Sequence, residues 1–120
     1  DALPISVLSG ANVLVLVTND SWYKDSPGIY QHNAQAVLRA VENGRYLVRA
    51  ANTGVSSIID PTGNILTSLP PLVEGSISAD VGLICELTLY TRIGDFILLL
   101  CAVFILICVY FKYLYKIRRV

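Results

Sequence analysis

Residues 18–66 read TNDSWYKDSPGIYQHNAQAVLRAVENGRYLVRAANTGVSSIIDPTGNIL, and this stretch decides the fold. Just before and into it, Ala11–Thr18 (ANVLVLVT) is a nearly continuous apolar run rich in valine, the pattern of a strand buried on both faces. Asn19–Ile29 concentrates Asn, Asp, Ser, Pro and Gly and reads as a loop. Tyr30–Asn43 reads as a helix, because Ala34, Val37, Leu38 and Val41 fall at i, i+3, i+4 and i+7 and make one apolar stripe. Gly44 stands where a left-handed C-terminal cap is expected. Tyr46–Ala51 and Val55–Ile59 read as strands split by Asn52-Thr53-Gly54, with Gly54 expected to supply a positive φ. Asp60-Pro61-Thr62-Gly63 is a turn signal with proline at its second position, and Asn64–Leu69 is the return strand of a hairpin. Pro70-Pro71 ends it, and Val73–Val81 is expected as a last, edge-like strand. The predicted order is β-α-β-β-β-β, an α/β class without internal repeats.

Downstream the composition changes. Phe96–Phe111 contains no charged residue, whereas residues 1–95 have a mixed, globular composition. The expected organisation is therefore a folded part over 1–90, a membrane helix over 91–115 with its apolar segment at Ile93–Tyr113, and a basic tail over 116–120. Lys112 can snorkel, and Tyr110, Tyr113 and Tyr115 suit an interface. Lys112, Lys116, Arg118 and Arg119 follow the apolar run, while Arg92 and Asp95 before it nearly cancel. The positive-inside rule then puts the C-terminus in the cytoplasm and residues 1–90 on the far side.

Formal net charge is zero, which gives no signal for nucleic acid as a partner. The three cysteines, Cys85, Cys101 and Cys108, have no zinc or disulfide spacing. Cys101 and Cys108 lie inside the apolar run and read as small hydrophobes. The chain contains no methionine, even at position 1, so a piece of a longer protein is expected.

Five segments carry a family resemblance. Asn19-Asp20-Ser21-Trp22-Tyr23 matches the Asn-Asp-x-Trp-Phe loop of the nitrilase (carbon–nitrogen hydrolase) superfamily, with Tyr23 in place of Phe. Arg39-Ala40-Val41-Glu42-Asn43 resembles its Arg-Ala-x-Glu-Asn signature, and Arg45 fits the Gly-Arg variant that follows it in the membrane-bound branch. Arg49-Ala-Ala-Asn52-Thr53-Gly54 resembles an Arg-x-Thr-Asn-Asn-Gly segment, with Thr53 where a second Asn is common. Gln31-His32 is frequent in the family as well. Leu87-Thr-Leu-Tyr90-Thr-Arg92-Ile-Gly94-Asp95 resembles the Leu-Thr-x-Tyr-x-Arg-x-Gly-Asp lead-in to the last helix of the apolipoprotein N-acyltransferases, which soluble nitrilases lack. From about Ala11 to the tail, the chain is similar to the C-terminal part of those enzymes.

The resemblance implies the C-terminal half of a nitrilase-like α-β-β-α sandwich followed by one transmembrane helix. It implies a multi-pass enzyme of the bacterial plasma (inner) membrane whose nitrilase-like domain is extracytoplasmic. Its partners are a phospholipid acyl donor and the N-terminal diacylglyceryl-cysteine of an apolipoprotein, and it needs no cofactor or metal. In that family a cysteine takes the acyl group as a thioester and passes it to the acceptor α-amine, with glutamate as base and lysine stabilising the oxyanion. All three lie upstream of the Asn-Asp-x-Trp loop, so this chain is expected to hold no catalytic residue. The residues expected to line the substrate pocket are Asn19, Asp20, Trp22 and Tyr23, and those expected to support it are Arg39, Glu42 and Asn52. From physics alone, the same loop reads as a cap whose Trp22 fills a surface groove, and Arg39–Glu42 as a surface pair worth little. Ile84-Cys85-Glu86 looks like the nucleophile motif but follows the loop instead of preceding it, so Cys85 reads as a free structural thiol. A lone His32 near a helix start reads as structural or solvated. Two other functions fit parts of the chain: a membrane-tethered amidase or nitrilase, and a non-catalytic single-span binding protein.

Overall fold

The computed structural model describes residues 2–94 and 96–117. Its elements are α1 (Ala2–Leu8), β1 (Val13–Asn19), a single 3-10 turn (Ser21–Tyr23), α2 (Gly28–Asn43), β2 (Tyr46–Asn52), β3 (Ser56–Ile59), β4 (Ile65–Leu69), α3 (Leu89–Ile93) and α4 (Phe96–Ile117). One four-stranded sheet runs in the order β1-β2-β3-β4. β1 and β2 are parallel, from Val13 opposite Tyr46 to Asn19 opposite Asn52, and α2 makes the crossover a parallel pair requires. β2–β3 and β3–β4 are antiparallel, with an irregularity at Ile58/Ile59.

The apolar core lies between the sheet and the helices. Val7 of α1, Leu14 of β1, Ala36 and Ala40 of α2, Leu47 of β2 and Ile59 of β3 form one buried cluster, with Leu3, Leu16, Val37 and Leu87 packed against it. The buried face of α2 differs from the expected stripe. It consists of Ile29, Asn33, Ala36, Ala40 and Asn43, whereas Leu38 and Val41 are exposed and Ala34 faces away from the core. The alanines let the helix sit close to the strands, and the stripe of larger side chains is turned aside, with only Val37 reaching the core. On the opposite face of the sheet, Val15 and Val17 of edge strand β1 are exposed.

Two further differences have local causes. Val73–Val81 forms no strand, because Pro70-Pro71 and Leu72, at φ 61°, turn the chain away from β4. Leu72 N–H then donates to Thr53 O (3.3 Å), near the end of β2. The lead-in to the last helix is itself a helix, α3. Thr88 caps it by accepting from Thr91 N–H (3.1 Å), and the Thr88 hydroxyl donates to Glu42 O (2.5 Å). Gly94, at φ 56°, ends it, so Ile93 closes α3 and the long apolar helix starts at Phe96. The turn between α2 and β2 is as expected, with Gly44 at φ 58°. There Arg45, buried, donates from Nε to Ala11 O (2.9 Å) and from Nη1 to Glu86 O (2.6 Å), tying three segments together.

Asp60 organises the β3–β4 turn. Its Oδ1 accepts from the N–H groups of Thr62 (2.8 Å) and Asn64 (2.9 Å) and from the Thr62 hydroxyl (2.7 Å), and its Oδ2 from Asn64 Nδ2 (2.9 Å). These bonds, first those of the Asn64 and Thr62 side chains, hold its carboxyl at about 2, below the ordinary 3.8. A depressed folded-state value means that the stabilisation is present above pH 3.8 and is lost as pH falls through about 2. An NMR titration should therefore show the Thr62 and Asn64 amides shifting with a midpoint near 2; a midpoint at the ordinary carboxyl value would contradict this turn.

The helix α4 is 22 residues long, and its described side chains are exposed all round. Among the described residues no helix is long and apolar enough to cross a membrane. Within α4 the described side chains run unbroken only from Leu98 to Lys112. The tail residues Arg118, Arg119 and Val120 lie outside the described residues.

Candidate functional site

The C-terminal ends of parallel strands β1 and β2 bring Asn19 and Asn52 opposite each other. Asn52 Nδ2 donates to Asn19 Oδ1 (3.2 Å), and Ser21 N–H donates to the same oxygen (3.2 Å), which turns the chain out of the sheet. Asp20 N–H donates to Asn52 O (3.0 Å), extending the ladder by one step. Tyr23 N–H donates to Asp20 O (3.0 Å) and closes the 3-10 turn. Trp22, in the middle of that turn, is 86% exposed.

Beneath the turn the sheet–helix interface becomes polar. Asp20 is fully buried. Its Oδ2 accepts from Arg49 Nη2 (2.5 Å), and its Oδ1 lies 2.7 Å from His32 Nδ1. Two acceptors cannot share 2.7 Å, so Nδ1 carries the hydrogen and donates it to Asp20. The 3.2 Å approach of Arg49 Nη2 to the same ring nitrogen is then a contact between donors. Arg49 is buried at 1% exposure, and its Nε and Nη1 have no partner among the described residues. Ser57 adds to the layer by donating to Asn33 Oδ1 (2.8 Å). A Cβ on Gly54 would stand 2.0 Å from Asp20 Oδ2. Gly54 is thus required for the close approach of this carboxylate, and the positive φ expected of it falls instead on Thr53, at 62°. That left-handed position suits Asn better than a β-branched residue.

Of the residues expected at the site, Asn19, Asp20, Trp22, Tyr23 and Asn52 come together at one sheet edge. Asp20 lies below the surface, with its carboxylate committed to Arg49 and His32. Trp22 fills no groove among the described residues. Arg39 and Glu42 pair with each other (Nη2–Oε1 2.8 Å) but sit farther along α2, beside α3. Arg39 lies seven positions after His32 along the helix, about 10 Å away. Arg49 and His32 belong to the cluster although the sequence assigned neither a site role. The available signal was an arginine two residues after Leu47, on the buried face of β2, which demands a carboxylate partner.

Beside Asn52 is a cavity of about 480 Å³. Asn52, Thr53 and Ser56 form a polar wall, Leu69, Leu72 and Val73 an apolar one, and Glu74 adds a carboxylate. Thr53 and Leu72, both at positive φ, stand at its rim and are joined by their backbone hydrogen bond. Among the described residues no cluster of His, Cys, Asp and Glu could hold a metal ion.

Cys85 lies elsewhere. Its thiol is exposed and lies 3.7 Å from the Asn12 side-chain amide, just before β1 begins. The Asn19 loop is at the other end of that seven-residue strand, about 20 Å away. Cys85→Ala is accordingly expected to leave thermal stability almost unchanged; a large drop in melting temperature would contradict an exposed thiol with one side-chain contact.

The chain belongs to the carbon–nitrogen hydrolase family, whose model matches residues 3–84. Among curated proteins it is similar to apolipoprotein N-acyltransferase 1 of Treponema denticola, 39% identical over 100 residues, 82% of this chain and 18% of the relative. It is similar to the apolipoprotein N-acyltransferase of Shewanella oneidensis, 41% identical over 103 residues, 85% of this chain and 20% of the relative. It is likewise similar to that of Bradyrhizobium diazoefficiens, 48% identical over 82 residues, 68% of this chain and 15% of the relative. The chain thus spans a fifth or less of the length of these curated relatives.

Proposed function

We propose that the chain is the C-terminal part of an apolipoprotein N-acyltransferase, and that the Asn19–Tyr23 turn lines the pocket where the acyl group is transferred. The observation that carries this reading is the 86% exposed indole of Trp22, held over a buried ion pair at a strand edge of a carbon–nitrogen hydrolase fold. An exposed indole on a rigid base gains nothing for the fold, and it offers an apolar face and an N–H to a lipid-like substrate. The acyl group would leave a phospholipid ester for an upstream cysteine, releasing the lysophospholipid. The acceptor's α-amine would then take it as an amide and free the thiol. Glutamate and lysine upstream would supply the base and the oxyanion partner, and this chain would supply part of the pocket wall.

We further propose that α4 crosses the plasma membrane. Counted by sequence to include the residues whose side chains are not described, its 22 residues extend about 33 Å, against a hydrocarbon core of about 30 Å. Phe96–Phe111 has no charge, and an all-round apolar surface has no other solvent that suits it. The basic residues that follow it in the sequence support a cytoplasmic C-terminus and an outside carbon–nitrogen hydrolase part. With cysteines placed singly at Lys24 and Val120 in a background lacking others, an impermeant thiol reagent on intact cells should label position 24 only. Labelling of the tail but not the loop would invert the topology.

The functional reading is tested by incubating the full-length protein with phospholipid and a diacylglyceryl-cysteine peptide and following the peptide by mass. A gain of one acyl chain is expected. Ammonia release from an amide substrate without N-acyl product would favour the amidase reading. No product from the full-length protein with either substrate would favour the binding-protein reading. The isolated chain is expected to be inactive in both assays.

A further inference from the structure

We propose that Asp20, His32 and Arg49 form a positioning unit that sets the direction of the Trp22 indole, with His32 tying both ends of the Trp22 turn to α2; its consequence for turnover rests on the acyl-transfer reading, its geometry does not. Trp22 is bracketed by two anchored residues. On one side, Asp20 is bound through its carboxylate to Arg49 on β2 and His32 on α2, and through its N–H to Asn52. Thr18 Oγ1 adds a long contact to Oδ1 (3.4 Å). On the other side, the Tyr23 ring packs on the His32 imidazole, centroids 5.7 Å apart at 52°. Tyr23 also lies so close to Gly28 that a Cβ there would meet its ring at 2.6 Å. Gly28 and His32 are i and i+4 on one face of α2, so Tyr23 rests across both.

His32 is therefore in contact with both flanks of Trp22, Asp20 and Tyr23. The indole itself has almost no packing of its own, so its direction is set through the backbone by those flanks. The burial is graded to match: Asp20 and Arg49 are inaccessible, the His32 side chain is 28% exposed, and Trp22 is open. A histidine serving only the core would leave the turn's mobility unchanged when removed. A positioning histidine releases it.

Trp22 is the only tryptophan in this chain, so its fluorescence reads the turn directly. The chain is compared in detergent with His32→Ala and His32→Asn, whose Nδ2 can replace the ring N–H that reaches Asp20. His32→Ala should lower Trp22 anisotropy and raise acrylamide quenching about twofold, with far-UV circular dichroism unchanged; His32→Asn should recover part of both. Should His32→Ala fail to fold, Tyr23→Leu removes the ring contact alone and should give the same fluorescence change. In the full-length enzyme, His32→Ala should reduce kcat about tenfold with little change in KM. Unchanged anisotropy and quenching in the folded variants would overturn the proposal, as would released fluorescence together with wild-type kcat. Absence of N-acyl product from the wild-type enzyme would instead refute the acyl-transfer reading, and the fluorescence result would still decide the unit.

Discussion

Asp20→Ala is expected to destabilise the folded chain by about 3–5 kcal/mol, the cost of breaking a buried ion pair from one side. Asp20 has no exposed surface and Arg49 is 1% exposed. The guanidinium cannot give up its charge, and it already has two donors without partners among the described residues. Removing Asp20 would strand it entirely. The same substitution takes away the acceptor of His32. Denaturant unfolding in detergent measures the loss. A double variant, Asp20→Ala with Arg49→Leu, should recover a substantial part, because the stranded charge goes with its partner. A loss below about 1 kcal/mol for Asp20→Ala would mean that water reaches the pair and that it does not underpin the turn.

Under the proposed acyl-transfer function, Trp22→Ala is expected to do the opposite: to leave stability almost intact and to lower N-acylation by the proposed full-length acyltransferase about 100-fold, which corresponds to about 2.7 kcal/mol in the barrier. Truncating a buried tryptophan costs about 3–5 kcal/mol. This one is 86% exposed and has little packing to lose. A contact that positions a reacting group is worth far more to the rate than to the fold. The paired measurement is specific activity per folded molecule and thermal unfolding in detergent. Normal specific activity with a large drop in melting temperature would make Trp22 a structural residue.

Strands β1 to β4 and helix α2 were legible because their signals are local. Valine runs, the Asp60-Pro61-Thr62-Gly63 turn and the Gly44 cap each act within a few residues. The face of α2 was not legible. Periodicity marks an apolar stripe, yet Ala36 and Ala40 win the interface because helix–sheet distance depends on side-chain size as well as polarity. Val73–Val81 alternates like a strand, but Pro70, Pro71 and Leu72 steer it off the edge it would have paired with. The site was legible in part. Asn19 and Asn52 share a sheet edge because a parallel register places them there, which the β-α-β order anticipates. The burial of Asp20 was hidden, since Asn-Asp before Trp looks like a surface loop. Only the demand of Arg49 for a carboxylate across the strand pair pulls it inward. Gly54 shows the same limit: a glycine marks a constraint, and the tertiary partner decides whether that constraint is φ or space.

The most direct test of the central claim is photo-crosslinking of the proposed full-length acyltransferase with a phospholipid that carries a photoactivatable group near the carbonyl end of its acyl chain. The adducts are mapped by mass spectrometry. The account predicts adducts on Trp22 or Tyr23, competed away by unlabelled phospholipid and diminished in His32→Ala. Adducts confined to α4, with none between Asn19 and Tyr23, would contradict it.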